Sequence, residues 1–309
     1  MVFAVRVGGQ TEPPQTCGNT GIRPDRILLT VIDQVGEFPS NLKMEDLTLK
    51  LNDVPTPVVG LALETGKPLD VAILIDASLS QEESLPVSKR VATALIQMYL
   101  DPARDRLALI SFSNDIQQQQ PLTADFAKVV TELEAIKITV PPGYVGGGVV
   151  VGRTPPPRVS QLPGSTSLWD VVAQAIEKVY GREKSEGRRR AIILLTDGED
   201  TSSQSRLSEA IRIAIDRDVL IHALGIRGRD NTLSRGSLNK ISEETGGVAI
   251  FLNSQDSKPV LNEIGKQLRS QYVVSFCRVT QPAHWEKVRF EISNPQFRKA
   301  RLGYRRQTK

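Results

Sequence analysis

The chain of 309 residues is 39% hydrophobic and 24% charged, which allows a substantial buried core and excludes intrinsic disorder over most of its length. Its net charge is +4, but two basic stretches, 182–190 and 298–309, carry more than that excess, so the remainder is mildly acidic. The content of two cysteines and two histidines excludes zinc fingers, cysteine-ligated iron–sulfur clusters and multi-disulfide scaffolds. No apolar run is long enough for a transmembrane helix, so we expect no transmembrane segment.

Two β-rich segments are predicted, after an irregular lead-in at 1–25 that is rich in Gly, Pro, Thr and Gln. Segment 26–68 contains β-branched runs and the alternating leucines of LTLKL, separated by turn residues. Segment 271–309 returns to the same pattern in YVVSF, KVRFEIS and KARLGY. We expect the two segments to pair with each other and to form one small β-sandwich.

Between these segments, at 69–270, apolar runs alternate with helical periodicities. Such alternation is typical of an α/β fold with a doubly wound, mostly parallel sheet and helices on both faces. This domain is therefore predicted to be inserted in the β-sandwich of the flanks. Strands are predicted at 71–76, 106–113, 191–197, 219–226 and 248–251, and helices at 84–100, 123–136, 167–184, 205–217, 234–245 and 257–270.

A Gly/Pro-rich loop at 138–164, which includes PPGYVGGGVVVGRTPPP, interrupts the alternation. Loops of this length are usually functional or disordered, and a tolerated surface insertion is the other interpretation. Thr123 is predicted to cap the helix that it begins. Arg188, Arg189 and Arg190 precede the third strand of the domain, and we expect them to be solvated.

Five oxygen-bearing side chains are predicted to meet at the carboxyl edge of the parallel sheet, where ligands bind in such folds. Asp76, Ser78 and Ser80 follow the first strand of the domain. Thr166 precedes a helix, and Asp197 ends the third apolar run. Carboxylates and hydroxyls on separate loops suit a hard cation such as Mg²⁺, which prefers oxygen ligands and retains several waters.

With these residues the chain resembles the von Willebrand factor type A (VWA) domain family. The resemblance is carried by D-x-S-x-S at 76–80, by Thr166 in GSTSLWD and by Asp197 in LLTDGEDT. These segments are similar to the three loops of that family's metal-ion-dependent adhesion site (MIDAS), and the resemblance covers about 70–270. It implies that the five residues bind Mg²⁺, Mn²⁺ or Ca²⁺, and that an Asp or Glu of a protein partner completes the metal shell. Leu79 stands where the family often has glycine, and it either packs against a neighbour or lies on the binding face.

The flanks resemble a bacterial VWA-related family first recognised in acidobacteria, in VIDQVGEFPSNLKMEDLTLKLNDVPTPV and in QYVVSF, WEKVRFEI and ARLGYR. This resemblance implies an exported protein, whether secreted, periplasmic or at the cell surface, although no signal peptide is visible in the chain. The inserted-domain arrangement brings the segments of the two cysteines together. We therefore predict a Cys17–Cys277 disulfide, which would imply an oxidising compartment.

We interpret the chain as a non-enzymatic protein-binding module of the adhesion type that depends on a divalent cation. A structural or scaffold module with a vestigial metal site is the alternative. No nucleic-acid partner is expected, because only Tyr304 is interleaved with the basic residues of 298–309. No nucleophile lies beside either histidine; His222 is expected in the core and His284 at the surface. The oligomeric state stays open.

Overall fold

A computed structural model describes residues 17, 24–33, 38–140, 166–181, 187–252, 258–277, 287–297 and 300–306. The chain divides into two compact units, one of Lys67–Gly265 and one that combines both flanks, Met1–Gly66 and Lys266–Lys309. The first unit is α/β and the second contains antiparallel sheets, so the predicted fold class is confirmed. Residues 141–164 of the Gly/Pro-rich loop, and His284, lie outside the described residues.

The helices and strands follow the predicted alternation. The strands are β1 (Asp25–Ile32), β2 (Leu47–Leu51), β3 (Val54–Thr56), β4 (Val58–Glu64), β5 (Leu69–Asp76), β6 (Arg106–Phe112), β7 (Ile116–Thr123), β8 (Arg189–Thr196), β9 (Val219–Gly225), β10 (Ala249–Phe251), β11 (Gln271–Phe276), β12 (Val288–Ile292) and β13 (Arg301–Arg306). The helices are α1 (Leu85–Tyr99), α2 (Phe126–Ala135), α3 (Leu168–Tyr180), α4 (Leu207–Asp216), α5 (Arg235–Thr245) and α6 (Lys258–Arg269). None of the helices in the described part of the chain has the length and hydrophobicity that a membrane crossing requires.

The α/β unit is built on a six-stranded sheet in the order β10-β9-β8-β5-β6-β7. Neighbouring strands are parallel except β7, which runs antiparallel to β6. Every residue of β5 is buried, as expected for a strand that helices cover on both faces. Ala72 and Leu74 share a hydrophobic core with α3, α4 and α5, whereas Ile73 and Ile75 point to the opposite face, where α1 contacts β5. The sheet is therefore doubly wound.

The flanking unit contains two antiparallel sheets, in the orders β13-β1-β11-β4 and β12-β2-β3. Leu29 and Val274 from the first sheet and Leu49 and Phe290 from the second share one hydrophobic core. Two sheets packed on a common core form a small β-sandwich. The predicted Cys17–Cys277 disulfide is present in this unit, with the two Cα atoms 5.6 Å apart.

The edge of the α/β sheet differs from the sequence prediction. Strand β7 was not predicted, because its sequence IQQQQPLT lacks the apolar alternation of a half-buried strand. Thr123 is the last residue of this strand and pairs with Leu107, so it does not cap the next helix. Helix α2 is instead capped by Asp125, whose Oδ1 accepts a hydrogen bond of 3.0 Å from the Lys128 N–H.

The expectation that Arg188, Arg189 and Arg190 are solvated is wrong. Strand β8 begins at Arg189 and lies between β9 and β5, so Arg189 and Arg190 are only 3% and 6% exposed. The guanidinium of Arg188 donates a hydrogen bond of 2.6 Å to the carboxylate of Asp70 at the start of β5. The buried carboxylate of Asp70, at the amino edge of the sheet, therefore binds Arg188 of this basic stretch.

Candidate metal centre

The candidate site lies where the chain leaves the middle of the parallel sheet. Strands β5 and β8 are adjacent and parallel, with Ile75 opposite Leu195. Asp76 ends β5, and Asp197 follows the last residue of β8. The strand order continues to β6 on one side and to β9 on the other, so the two aspartates stand at the switch point of the sheet, where ligands of such folds bind.

Asp76 is held in one orientation by its own loop and by β8. Its Oδ1 accepts a hydrogen bond of 3.0 Å from the Ser78 N–H, and its Oδ2 accepts one of 2.6 Å from the Thr196 hydroxyl. The side chain is only 1% exposed. Burial, together with the negative charge of Asp197, raises the pKa of Asp76 to about 6. The negative charge of Asp197 thus disfavours the ionisation of Asp76.

The serines of the first loop connect to the second aspartate. The hydroxyl oxygens of Ser78 and Ser80 lie 3.0 Å apart, and the Ser80 hydroxyl donates a hydrogen bond of 3.0 Å to Asp197 Oδ2. Asp197 is 1% exposed, and its Oδ1 accepts a further hydrogen bond of 3.1 Å from the Glu199 N–H. The structure thus brings four of the five predicted ligands into one connected group.

Thr166, the fifth predicted ligand, is fixed to the loop that follows Asp197. Its N–H donates to the Thr201 hydroxyl at 2.8 Å, and its carbonyl accepts from the Thr201 and Ser202 N–H groups at 2.9 and 3.2 Å. At the beginning of α3, the Leu168 N–H donates to Asp200 Oδ1 at 3.0 Å. These bonds fix the backbone of Thr166 relative to the loop that starts at Asp197.

A fourth loop, 226–234, also surrounds Asp197, and sequence reasoning missed it. The Thr232 hydroxyl donates to Asp197 Oδ2 at 3.3 Å, and the Ser234 N–H donates to the Asp197 carbonyl at 2.7 Å. A Cβ atom on Gly228 would overlap the Asp197 carboxylate. A larger residue at this position would therefore displace the carboxylate or the loop. No periodicity or motif in the sequence signals such a contact.

These loops line an open cavity of about 310 Å³. Its lining combines hydroxyl, carboxylate and guanidinium groups with one leucine; the residues are Leu79, Ser80, Thr166, Asp197, Glu199, Thr201, Arg229 and Thr232. Leu79 is 8% exposed, so it is packed and also contributes a wall of the cavity. The position at which the family often has glycine is thus occupied without filling the cavity.

The donor set fits a hard divalent cation. The described hydrogen-bond donors to the carboxylates of Asp76 and Asp197 are hydroxyls and backbone N–H groups. No positively charged side chain among them neutralises the two charges. Gln81 is fully buried, and neither polar atom of its side chain has a hydrogen-bond partner among the described residues. A Cβ on Gly228 would lie 3.1 Å from the Gln81 Nε2 and would overlap the Asp197 Oδ2. The unsatisfied amide of Gln81 is therefore near the Asp197 carboxylate. A cation at the aspartates would supply the missing positive charge.

This candidate does not resemble a site made of many strong ligands. Within the described ranges, no group of three or more His, Cys, Asp or Glu side chains could hold a metal ion. His222 is buried, 1% exposed, as expected, and its Nδ1 accepts from the Val248 N–H at 3.3 Å. A cation at the sheet edge would therefore depend on neutral hydroxyls in addition to two carboxylates, which leaves room in its shell for further ligands.

Comparison with known families identifies the α/β unit. Residues 158–267 match the family model of the von Willebrand factor type A domain. This part of the chain is therefore similar to a VWA domain. The matched residues include Thr166 and Asp197 but not Asp76, Ser78 and Ser80, which β5 brings to the same edge of the sheet. The structure thus extends the unit beyond the residues that the family model covers.

One solved structure in particular has a similar fold. Proximal thread matrix protein 1 from the mussel byssus, in a structure described as having a zinc-occupied MIDAS motif, is 15% identical, with a TM-score of 0.52. The match covers 69% of this chain and 49% of the mussel chain, so this chain spans about half the length of that protein. The protein BatB from Bacteroides thetaiotaomicron is 22% identical, with a TM-score of 0.48 and coverage of 64% of this chain and 98% of that one. No curated protein matches the chain.

Proposed function

We propose that the VWA domain binds a divalent cation through Asp76, Ser78, Ser80, Thr166 and Asp197, and that the cation binds an Asp or Glu of a protein partner. The proposed cation is Mg²⁺, with Mn²⁺ or Ca²⁺ as substitutes. The function is binding and not catalysis. The bound ion would supply positive charge at a cavity that is otherwise rich in carboxylates and hydroxyls.

The observation that carries this proposal is the pair of buried aspartates at the switch point of the sheet. Both are 1% exposed, and Asp197 contributes to the raised pKa of Asp76. A divalent cation between them would reverse that repulsion. The mussel protein with a zinc-occupied MIDAS motif has the same fold, which supports the choice of a metal as the ligand of this edge.

The chemistry of the donors explains why a partner carboxylate would follow. Two carboxylates and the neutral hydroxyls of Ser78, Ser80 and Thr166 would leave the cation less neutralised than a shell of carboxylates would. Mg²⁺ prefers six oxygen ligands and usually retains waters that an incoming oxygen can replace. A carboxylate is the protein side chain best suited to replace one of them, because its oxygen carries negative charge.

The first test is calorimetric titration of Mg²⁺ and Mn²⁺ into the wild-type chain and into Asp76→Ala. We expect the substitution to lower the affinity at least a hundredfold, because it removes one of two charges that balance the ion. The control is Asp216→Ala, which removes an exposed aspartate that pairs with Arg212 on α4. Wild-type protein that binds no divalent ion at millimolar concentration would contradict the proposal and favour the scaffold alternative.

The second test addresses the partner. Partner capture with and without EDTA should give proteins that are lost when the ion is removed, and Asp76→Ala should lose the same proteins. A set of captured proteins that is indifferent to EDTA would again favour a scaffold. The bridged Cys17 and Cys277 support our further proposal that the protein works in an oxidising, exported setting. Two free thiols in native protein would contradict that setting.

A further inference from the structure

The cavity at the proposed metal centre has one cationic side chain among its lining residues, and the proposed function does not use it. This residue is Arg229, in the fourth loop. The cavity volume of about 310 Å³ is at the small end of ligand pockets, so it suits one side chain better than a length of peptide. A side chain that reaches the cation would therefore also come close to Arg229.

Arg229 is held at the cavity by an ion pair between two loops. Its guanidinium donates to the carboxylate of Glu82 at 2.5 Å, and the two side chains are 28% and 44% exposed. Glu82 follows the 3₁₀ turn Leu79–Gln81, which begins one residue after the proposed ligand Ser78. Both partners of the ion pair are thus close in sequence to residues that line the cavity.

The ion pair between Arg229 and Glu82 contributes little by itself to stability. Ion pairs between partly exposed side chains contribute only about 0 to 1 kcal/mol to stability. A guanidinium carries five N–H donors in a plane, in a geometry that matches a carboxylate. A carboxylate that enters the cavity could therefore take the place of Glu82, or share the guanidinium with it.

We propose that the cation and Arg229 bind the partner's carboxylate together, one carboxylate oxygen on the cation and the other accepting from the guanidinium. The inference rests on the proposed function and names the chemistry of the ligand more closely. A carboxylate satisfies both groups, whereas a neutral amide has one oxygen and would leave Arg229 with Glu82. Arg229 is thus a specificity-determining residue, and Glu82 competes with the ligand for it.

The experiment uses Mn²⁺ as the ion and glutamate blocked as its N-acetyl methylamide as the probe. The water-proton relaxation rate of the Mn²⁺-loaded protein falls when the probe replaces a metal-bound water. Blocked glutamine is the neutral control and should bind at least tenfold more weakly. The same titration is made with Arg229→Gln and Glu82→Gln, after the Mn²⁺ affinity of each variant has been measured.

The two variants are expected to act in opposite directions. Arg229→Gln should weaken blocked glutamate about tenfold, and Glu82→Gln should strengthen it about threefold, with Mn²⁺ affinity within twofold of wild type in both. If the ion pair only braces the two loops, both variants will weaken the probe alike, and that result would overturn the inference. An unchanged probe affinity in Arg229→Gln would also overturn it.

The proposed function can fail separately from this inference. If the wild type binds no Mn²⁺, or binds Mn²⁺ without any response to blocked glutamate, the proposed function itself is wrong and the inference falls with it. If the wild type binds both and the arginine variant behaves like the wild type, only the role of Arg229 is wrong.

Discussion

Strand β5 carries a buried aspartate at each end, and the two are treated in opposite ways. Asp70, at the amino edge, is 3% exposed and contacts two guanidinium groups, those of Arg106 and Arg188. Asp76, at the carboxyl edge, is 1% exposed and accepts from a backbone N–H and a hydroxyl. Two arginines thus neutralise the charge of Asp70, whereas the described partners of Asp76 are uncharged.

The electrostatics follow from these partners. Burial opposes the ionisation of Asp70, but hydrogen bonds and charges from Arg106 and Arg188 outweigh it, so the pKa of Asp70 is lowered. Burial and Asp197 raise the pKa of Asp76 to about 6. A carboxylate with its own counter-ions stabilises the fold, whereas one without them is available to an ion from solution. The difference supports the proposal that the carboxyl edge is the binding edge.

The largest effect is expected from Asp70→Asn. It removes the charge that both arginines contact, including the ion-pair partner of Arg188, whose side chain is 20% exposed. We expect the free energy of unfolding in urea to fall by about 3 kcal/mol, as when one partner of a buried ion pair is removed. Asp216→Asn, in an exposed pair with Arg212, should change it by less than about 0.5 kcal/mol. Equal losses in the two variants would contradict the special role of the amino edge.

The pH dependence of stability in EDTA should separate the two aspartates. The pKa of folded Asp76, about 6, lies above its ordinary value of 3.8, so its contribution to stability is present below about pH 4 and is lost as the pH rises towards 6. The loss is about 2 to 3 kcal/mol. The contribution of Asp70, whose pKa is lowered, is present above about pH 4 and is lost as the pH falls below it.

Urea unfolding between pH 3 and 7 measures both terms. The decrease between pH 4 and 6 should disappear in Asp76→Asn, which cannot ionise, and should persist in Asp70→Asn. A decrease that survives in Asp76→Asn would belong to another group. In the wild type, Mg²⁺ at pH 7 should restore the lost stability, because an ion that binds only the folded state stabilises it.

A smaller effect is expected from Gly228→Ala. A Cβ at this position would overlap the Asp197 carboxylate, so the carboxylate or the fourth loop must move. We expect Mn²⁺ affinity to fall about tenfold, or about 1.4 kcal/mol. Gly236→Ala on α5 is the matched control, because nothing lies within 4 Å of its added Cβ. Calorimetry that gives both variants the wild-type affinity would show that Asp197 does not need its present position.

The order of helices and strands could be predicted because burial leaves a different hydrophobic pattern in each: a helical period in the helices and continuous apolar runs in the buried strands. The runs VAILI and AIILL are apolar throughout, since helices cover both faces of the sheet. Strand β7 could not be predicted in this way. It lies at the sheet edge, and the backbone pairing with β6 fixes it, while three of its four glutamines remain exposed or partly exposed.

The same contrast applies to the candidate site. The meeting of Asp76, Ser80 and Asp197 could be predicted, because parallel strands end at one edge; their role as metal ligands stays a prediction. The fourth loop could not. Arg229 and Glu82 pair across 147 positions of sequence, and the requirement for Gly228 arises from one close approach to a carboxylate. Contacts of this kind follow from the packed structure and leave no periodic signal.

The smallest effect is expected where the loop after Asp197 is joined to the loop that contains Thr166. Asp200 Oδ1 accepts from the Leu168 N–H and from the Ser203 hydroxyl at 2.6 Å, and so connects the loop after Asp197 to the beginning of α3. Asp200→Ala should lower the unfolding free energy by about 1 kcal/mol, as expected for the loss of a helix cap. Because Thr166 is two residues before Leu168, we also expect Mn²⁺ affinity to fall about threefold.

Asp125→Ala is the control for Asp200→Ala, because it removes a helix cap that is far from the proposed metal ligands. Asp125 caps α2 by accepting a hydrogen bond from the Lys128 N–H. It lies two residues after Thr123, which pairs with Leu107 near the start of β6, so this cap is at the amino edge of the sheet. Its loss should cost a similar amount of stability and leave Mn²⁺ affinity unchanged. If both variants weaken Mn²⁺ equally, the ion responds to the stability of the whole unit. If only Asp200→Ala weakens Mn²⁺ binding, the affinity for the ion depends on the hydrogen bonds that hold the loops of the carboxyl edge in place.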